Sequence, residues 1–378
     1  MKNKTKVLAY YLPQFHEIPE NNEWWGKGFT EWTNVKRARP LFPGQVQPRV
    51  PLNNNYYNIL DKQTVEWQTE LANKYGVYGF CYFHYYFKDG KKVLEKPAEN
   101  LLKWSDINQR YCFFWANSPW IRTWSAAAVS GGTTWVSEER EGKGKTGILL
   151  EQDYGDEACW KEHFDYLLPF FEDERYIKID GKPFFAIYFV NQIPCAKEMF
   201  LLWDKLAKRA GFPGIFISAV NGRYPSSLKD LLDGNIQYGG GCYDNDFLFH
   251  VKAFVQNRYR RYFSKDSHRA YSYDEVWRAI LRQGPYGGIN NFPGGVVDSD
   301  DSPRRGVDCT YLKGASPQKF YRYLSKQLIR TRDFFHSEYL FLNAWNEWGE
   351  GCYLEPDEHN GYAYLEALKR ALVDTGNI

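Results

Sequence analysis

Short apolar runs recur along the chain, separated by polar stretches with helical periodicity. The runs are Val7–Leu12, Val77–His84, Tyr111–Ala116, Phe184–Tyr188, Ile215–Val220, Asn235–Tyr238, Gly287–Phe292 and Tyr339–Trp345. Most are continuous rather than alternating in apolar residues, as expected of strands covered on both faces. The sixth carries the weakest apolar signal. Helical spacing fills Thr64–Tyr75, Ala158–Phe171, Ala196–Arg209, Asp274–Arg282, Ser316–Arg332 and Gly361–Asp374. Strands alternating with helices predict an α/β chain, a single (β/α)8 TIM-type barrel over residues 1–378 with enlarged βα loops. The alternative is a doubly wound open sheet, but no G-x-G-x-x-G follows the first run. The longest irregular stretches are Pro13–Asn55, Ser125–Gly147, Gly239–Asp246 and Pro293–Lys313. In a barrel they become loops, and functional loops gather where the strands end. No low-complexity linker or internal repeat divides the chain.

Composition narrows the class. Of 378 residues, 43% are hydrophobic and 25% charged, an ordinary globular balance. The net charge of +2 implies no strongly charged partner. Arg258-Tyr259-Arg260-Arg261-Tyr262, with Lys265 and His268, reads as a solvated helix face, with an anionic glycan, lipid phosphate or membrane surface as the alternative partner. No nucleic-acid-binding motif accompanies it, so no nucleic-acid partner is expected. The seven cysteines are scattered singly, which suggests neither a disulfide framework nor a zinc site and fits a cytoplasmic chain. The basic start at Lys2, Lys4 and Lys6 precedes an apolar run that meets Pro13 too soon for a signal peptide; a cleaved leader is the alternative. No apolar run reaches the roughly 18 residues of a membrane span.

Candidate chemistry concentrates in Trp345-Asn346-Glu347-Trp348-Gly349-Glu350-Gly351, just past the last apolar run. Two carboxylates at a strand's end, flanked by indoles, suit glycosidic-bond chemistry. One can protonate a leaving oxygen, the other can act as base or nucleophile, and aromatic faces can hold sugar rings. A solvated surface loop is the plainer alternative. The chain has 14 Trp, 29 Tyr and 26 Phe, 18% aromatic, more than packing alone calls for. Candidate substrate-binding residues at or past predicted strand ends are Tyr10, His16, Trp32, Tyr82, His84, Trp115, Asn117, Tyr188 and Trp348. Asn346 and the loop Asp300-Asp301-Ser302-Pro303-Arg304-Arg305 add polar candidates, with Asp300, Asp301 and Arg304 assigned to binding. His16 and His84 lack metal-ligand spacing, so no metal and no cofactor is expected. Ser130-Gly131-Gly132 lacks a nucleophile-elbow pattern.

These residues also carry a family resemblance. The chain resembles the WbsX-like proteins found with polysaccharide gene clusters and, more distantly, glycoside hydrolase family 99. The first likeness runs nearly end to end, through Tyr10 to His16, Gly76 to Tyr85, Trp115-Ala116-Asn117, Tyr176 to Pro183 and Trp345 to Asp357. The second rests on Asn346 to Gly351 and Asp300-Asp301-Ser302. Where WbsX-like chains usually have Glu-Asn-Trp, this one has Ser118-Pro119-Trp120. The resemblance implies a barrel and retaining, endo-acting cleavage of α-linked mannose-type sugars. It implies that Glu347 is the base on the sugar's 2-hydroxyl and Glu350 the general acid, then general base. Glu350 is therefore expected to have the raised pKa and Glu347 to stay ionised. Two other functions stand beside cleavage. One is glycosyl transfer from a nucleotide- or lipid-linked donor, for which Asp244-Asn245-Asp246 supplies a D-x-D pattern. The other is glycan binding without catalysis.

Overall fold

Among the described residues nine segments form the parallel strands of one sheet: β1 Lys6–Tyr11, β2 Val77–His84, β3 Tyr111–Trp115, β4 Lys182–Ile187, β5 Phe216–Val220, β6 Gly234–Ile236, β7 Asn290–Phe292, β8 Gly294–Val296 and β9 Tyr339–Asn343. The computed structural model describes residues 4–121, 147–239, 251–252, 254–255, 258 and 269–378. Hydrogen bonding runs in the order β7-β6-β5-β4-β3-β2-β1-β9-β8. The two ends of that order, β7 and β8, are consecutive in the chain and meet at Pro293. The Gln237 amide donates to the Phe292 carbonyl at 2.9 Å, and the Phe341 amide to the Pro293 carbonyl at 2.9 Å. One interrupted strand thus reaches the neighbours on both sides, and the barrel closes there. The proline costs no ladder donor, because the junction uses only its carbonyl.

Helices Lys62–Tyr75, Lys96–Lys103, Glu157–Glu172, Ala196–Arg209, Tyr273–Arg282, Pro317–Asp333 and Ala363–Asp374 lie in the connections and at the C-terminal end. Their ends follow local rules. Asp156 caps one helix by accepting from the Ala158 and Cys159 amides, and Ser316 followed by Pro317 caps another. Between β5 and β6 a 3₁₀ segment, Ser226–Leu231, takes the place of a helix. The aromatic excess goes largely into the barrel. Tyr10 meets Phe83, Phe114, Tyr238 and Phe341 with ring centroids 4.9–5.9 Å apart. Phe184, Phe216, Phe292 and Phe341 interlock in the same way. Each such pair adds about 0.5–1.5 kcal/mol beyond area burial.

The barrel matches the expected fold class, with two local corrections. Pro293–Lys313, expected to be irregular, contains β8, the helical turn Ser302–Arg305 and the strand Thr310–Lys313. Its glycines hid β8, since Gly294-Gly295 gives no apolar run. Pro13–Asn55 likewise contains the short helices Pro19–Trp25 and Glu31–Arg37. Ser125–Gly147 and Gly239–Asp246, apart from Gly147 and Gly239, lie outside the described residues, as do Ser130 to Gly132 and Asp244 to Asp246. Of the basic stretch, Arg258 is described and exposed; Tyr259 to Tyr262, Lys265 and His268 are not described. No helix among the described residues is long and apolar enough to cross a membrane.

A β-carbon at Gly294 would lie 1.8 Å from the Gln237 carbonyl oxygen, whereas one at Gly287 would meet nothing within 4 Å. Gly294→Ala should therefore destabilise by at least the ~1–3 kcal/mol typical of overpacking. Gly287→Ala should leave the denaturation midpoint within error. Chemical denaturation of both variants checks this, and equal midpoints would contradict the closure described.

Candidate active site

Three segments distant in sequence deliver charge to one point. Thr30 and Thr33 form a capping box at the start of helix Glu31–Arg37, and the Glu31 amide donates to the Gln14 carbonyl at 3.0 Å. These bonds fix Glu31 against the end of β1, with no exposed surface. Beyond β8, Asp300 accepts from Gln45 Nε2 at 2.9 Å, Gln47 Nε2 at 3.1 Å and the Ser302 amide at 3.1 Å. Asp301 accepts from the Thr310 amide at 2.6 Å. The two aspartates thereby hold the turn Ser302–Arg305, which presents Arg304. The third segment is the Asn346–Gly351 loop beyond β9.

Arg304 binds three carboxylates, one from the first segment and two from the third. Its Nε donates to Glu31 Oε1 at 2.8 Å, its Nη2 to Glu347 Oε2 at 2.8 Å, and its Nη1 to Glu350 Oε1. Glu347 is buried, and burial is the first cause pushing its pKa up to about 8. Arg304 pulls the other way, while the charges of Glu350 and Glu31 add to the rise. The sequence-based expectation placed the raised pKa on Glu350; in the structure the deeply desolvated carboxyl, held above the usual carboxylate range by burial, is Glu347. Burial also raises Glu31 against the pull of Arg304, and raises Asp301 to about 6. Glu350 is the more open of the pair, with 37% of its side chain exposed.

Both glutamates line a cavity of about 670 Å³ at the C-terminal ends of the strands. Its wall includes Gln14, Trp25, Tyr85, Trp120, Tyr188 and Tyr238. Ser118 and Pro119, where the family pattern departs, line it too. Among the candidates named from sequence, Glu347, Glu350, Arg304 and Tyr188 face this cavity. The others are placed elsewhere, and the reason is mostly strand phase. Phe83 in β2 and Tyr85 just past it line the cavity, so Tyr82 and His84 point into the helix layer. Tyr82 packs on Tyr11, and Tyr11 donates to Gln68 on helix Lys62–Tyr75. His84 shares a 2.8 Å Nε2–Nε2 hydrogen bond with His163, and burial lowers both pKa values. In β3, Phe114 faces inward, and Trp115 packs against His163 and Trp203 on the helices. Tyr10 is buried among the barrel rings, below the open cavity.

The remaining candidates build the loops. Asn117 ties Phe189 through its amide and carbonyl groups and donates to Tyr154 at 2.9 Å. Asn346 clamps Leu12, accepting from its amide at 2.7 Å and donating to its carbonyl at 3.1 Å. Trp348 is buried, stacked 3.8 Å from Tyr353, and donates to Glu355 at 2.6 Å. It is therefore a support beneath the loop, not a sugar platform. His16 and Trp32 border a separate hollow of about 270 Å³. Among the described residues, no group of three or more His, Cys, Asp or Glu is placed to hold a metal ion.

Sequence reasoning missed Glu31, Gln14, Trp25, Tyr85, Trp120 and Tyr238. One signal pointed to Glu31: the glycine between Trp348 and Glu350. A β-carbon at Gly349 would lie 1.5 Å from Glu31 Oε1. The glycine of the motif is the space that the third carboxylate occupies.

The family model for glycosyltransferase WbsX matches residues 7–368. The chain belongs to the WbsX family. Two curated relatives, the uncharacterized WxcX proteins of Xanthomonas campestris pv. campestris strains B100 and ATCC 33913, are 29% and 30% identical over 97% of this chain. The alignment covers 49% of each, so this WbsX chain spans about half the length of those relatives. Among solved structures, the family 99 endo-alpha-mannosidase of Bacteroides thetaiotaomicron is similar with a TM-score of 0.54 and 12% identity, covering 97% of this chain and 96% of that one. At that identity the likeness speaks for a shared barrel fold.

In this WbsX barrel, Trp348→Ala should cost about 3–5 kcal/mol of stability, the range for removing a buried Trp. Denaturant unfolding measures it. A loss below about 1 kcal/mol, with weakened glycan binding, would instead make the ring a sugar platform.

Proposed function

We propose that residues 1–378 form one catalytic domain that cleaves α-glycosidic, mannose-type linkages inside a polysaccharide, with retention. The observation that carries this reading is the pairing of Glu347 and Glu350 on one guanidinium, both open to an aromatic-walled cavity. The family 99 endo-alpha-mannosidase likeness supports the bond type, and the WbsX family supports a glycan as substrate.

The resemblance to glycoside hydrolase family 99 implies the steps. Glu347 takes the proton of the sugar's 2-hydroxyl, whose oxygen attacks C1. Glu350, more open to the cavity, gives its proton to the departing glycosidic oxygen. Water then attacks C1 and breaks its bond to the 2-oxygen, Glu350 takes a proton from the water, and Glu347 returns its proton to the freed 2-oxygen. A buried carboxyl with a pKa near 8 is a stronger base than an ordinary carboxylate, provided it has lost its proton. The same raised pKa favours a second assignment, in which Glu347 is the resting acid. The WbsX name supports a further reading, transfer from an activated sugar through the same pair.

Incubation with α-mannan or capsular oligosaccharides, with and without sugar nucleotides, separates hydrolysis from transfer. Product only with a sugar nucleotide would sink the hydrolase reading; binding without turnover would sink both. Glu347→Gln and Glu350→Gln should each lower turnover by about two or more powers of ten. On a dinitrophenyl glycoside, Glu350→Gln should be partly rescued and Glu347→Gln should not, because a good leaving group needs little acid help. Turnover needs one carboxyl ionised and the other protonated, so kcat/KM should be bell-shaped in pH, with its alkaline limb near pH 8 where Glu347 loses its proton. A rate that does not fall above that pH would count against Glu347 as a member of the pair.

A further inference from the structure

We propose that Glu31 is a positioning residue: from behind the cavity wall it locks the Arg304 guanidinium, so that its other two nitrogens serve Glu347 and Glu350, and it adds a third negative charge that sets where the pair's proton resides. This rests on the reading of Glu347 and Glu350 as the reacting pair.

Glu31 is fully buried and does not line the cavity, so it acts through Arg304. The guanidinium is planar and rigid, with its donors in a fixed fork. An acceptor on Nε at 2.8 Å, together with acceptors on both terminal nitrogens, leaves the plane no freedom to turn. Glu31 also braces the backbone that joins the pair. Its carboxylate occupies the place a β-carbon of residue 349 would take, directly against the peptide between Glu347 and Glu350.

The charge balance gives the second part. Three carboxyls share one guanidinium, which leaves two surplus negative charges if all are ionised. In a buried site that surplus is costly, so a carboxyl keeps a proton. Facing Glu347 are Arg304 from the 302–305 turn, Glu350 on its own loop, Glu31 from helix Glu31–Arg37, Tyr85 beyond β2 and Tyr238 beyond β6. Asp301 and Arg305 flank Glu350 from the same turn as Arg304. Glu31 is acidic, fully buried and absent from the cavity wall, so substrate leaves its charge in place.

The test reads the proton directly by NMR titration of carbon-13-labelled glutamate carboxyls, with the Glu347 signal assigned by its loss in Glu347→Gln. In Glu31→Gln the Glu347 midpoint should fall by about one pH unit, a tenfold loss of proton affinity. The fall is toward acid because one repelling charge is gone and Arg304 is shared by fewer carboxylates. A folded Glu31→Gln protein with an unmoved midpoint overturns the proposal. Should that variant not fold, Glu31→Asp carries the test: charge kept, reach lost. Its Glu347 midpoint should stay near the wild-type value while kcat drops about tenfold or more at nearly constant KM; unchanged kcat overturns the proposal. The two readings fail separately. A Glu347→Gln protein with wild-type turnover sinks the catalytic pair itself, whereas an inactive Glu347→Gln with an unmoved midpoint in Glu31→Gln sinks only the role of Glu31.

Discussion

A single buried cation organises this molecule's cavity. Arg304 lies 273 residues from Glu31, 43 from Glu347 and 46 from Glu350, and binds all three. A buried guanidinium with an unmet donor is costly, and so is each buried carboxylate without a partner. The four groups therefore stabilise one another only as a set. Lysine would not replace the arginine, since a point charge cannot offer three nitrogens in one plane. Such a cluster specifies geometry more than it adds stability, because desolvation offsets much of the attraction.

Around that cation the chain spends its polar residues on fixing loops. Asp300 gathers Gln45, Gln47 and the Ser302 amide, and Asn346 staples the last strand's exit to that of the first. Glu355 receives hydrogen bonds from Trp348, Gln68 and Tyr57, so the indole beneath the site is held at both its face and its edge. Beneath these loops the interlocked rings around Tyr10 and Phe341 make a stiff floor. Groups held this way keep their spacing when substrate arrives, a requirement for acid–base chemistry between two carboxylates.

The barrel and the Glu347–Glu350 loop were legible in the residues because continuous apolar runs and a Trp-flanked acid pair are strong local signals. The facing of each strand was not. Strands buried on both sides lack the alternation that distinguishes inward from outward, and a one-residue slip turns every side chain over. The sequence therefore points to Tyr82 and His84, whereas Phe83 and Tyr85 line the cavity. Trp348 misled for a related reason: an indole beside two acids looks the same in sequence whether it lies under the loop or on it. Glu31 sits in a stretch rich in aromatic and charged residues, and only the fold brings it to Arg304. The turn pattern around Arg304 marks a polar loop and says nothing of the three carboxylates it binds.

The pairing of β1 with β9 has a kinetic side. Lys6 lies beside Glu338 across 332 residues, so the first strand finds its second neighbour only after most of the chain has been ordered. Such remote closure carries a loop-entropy cost that local helices do not repay in advance. Until β9 docks, β1 presents an unpaired row of backbone donors and acceptors along Lys6–Tyr11, apolar on both faces. A half-built barrel would therefore be sticky at its first strand, and the ring's completion is also the step that removes its capacity to aggregate.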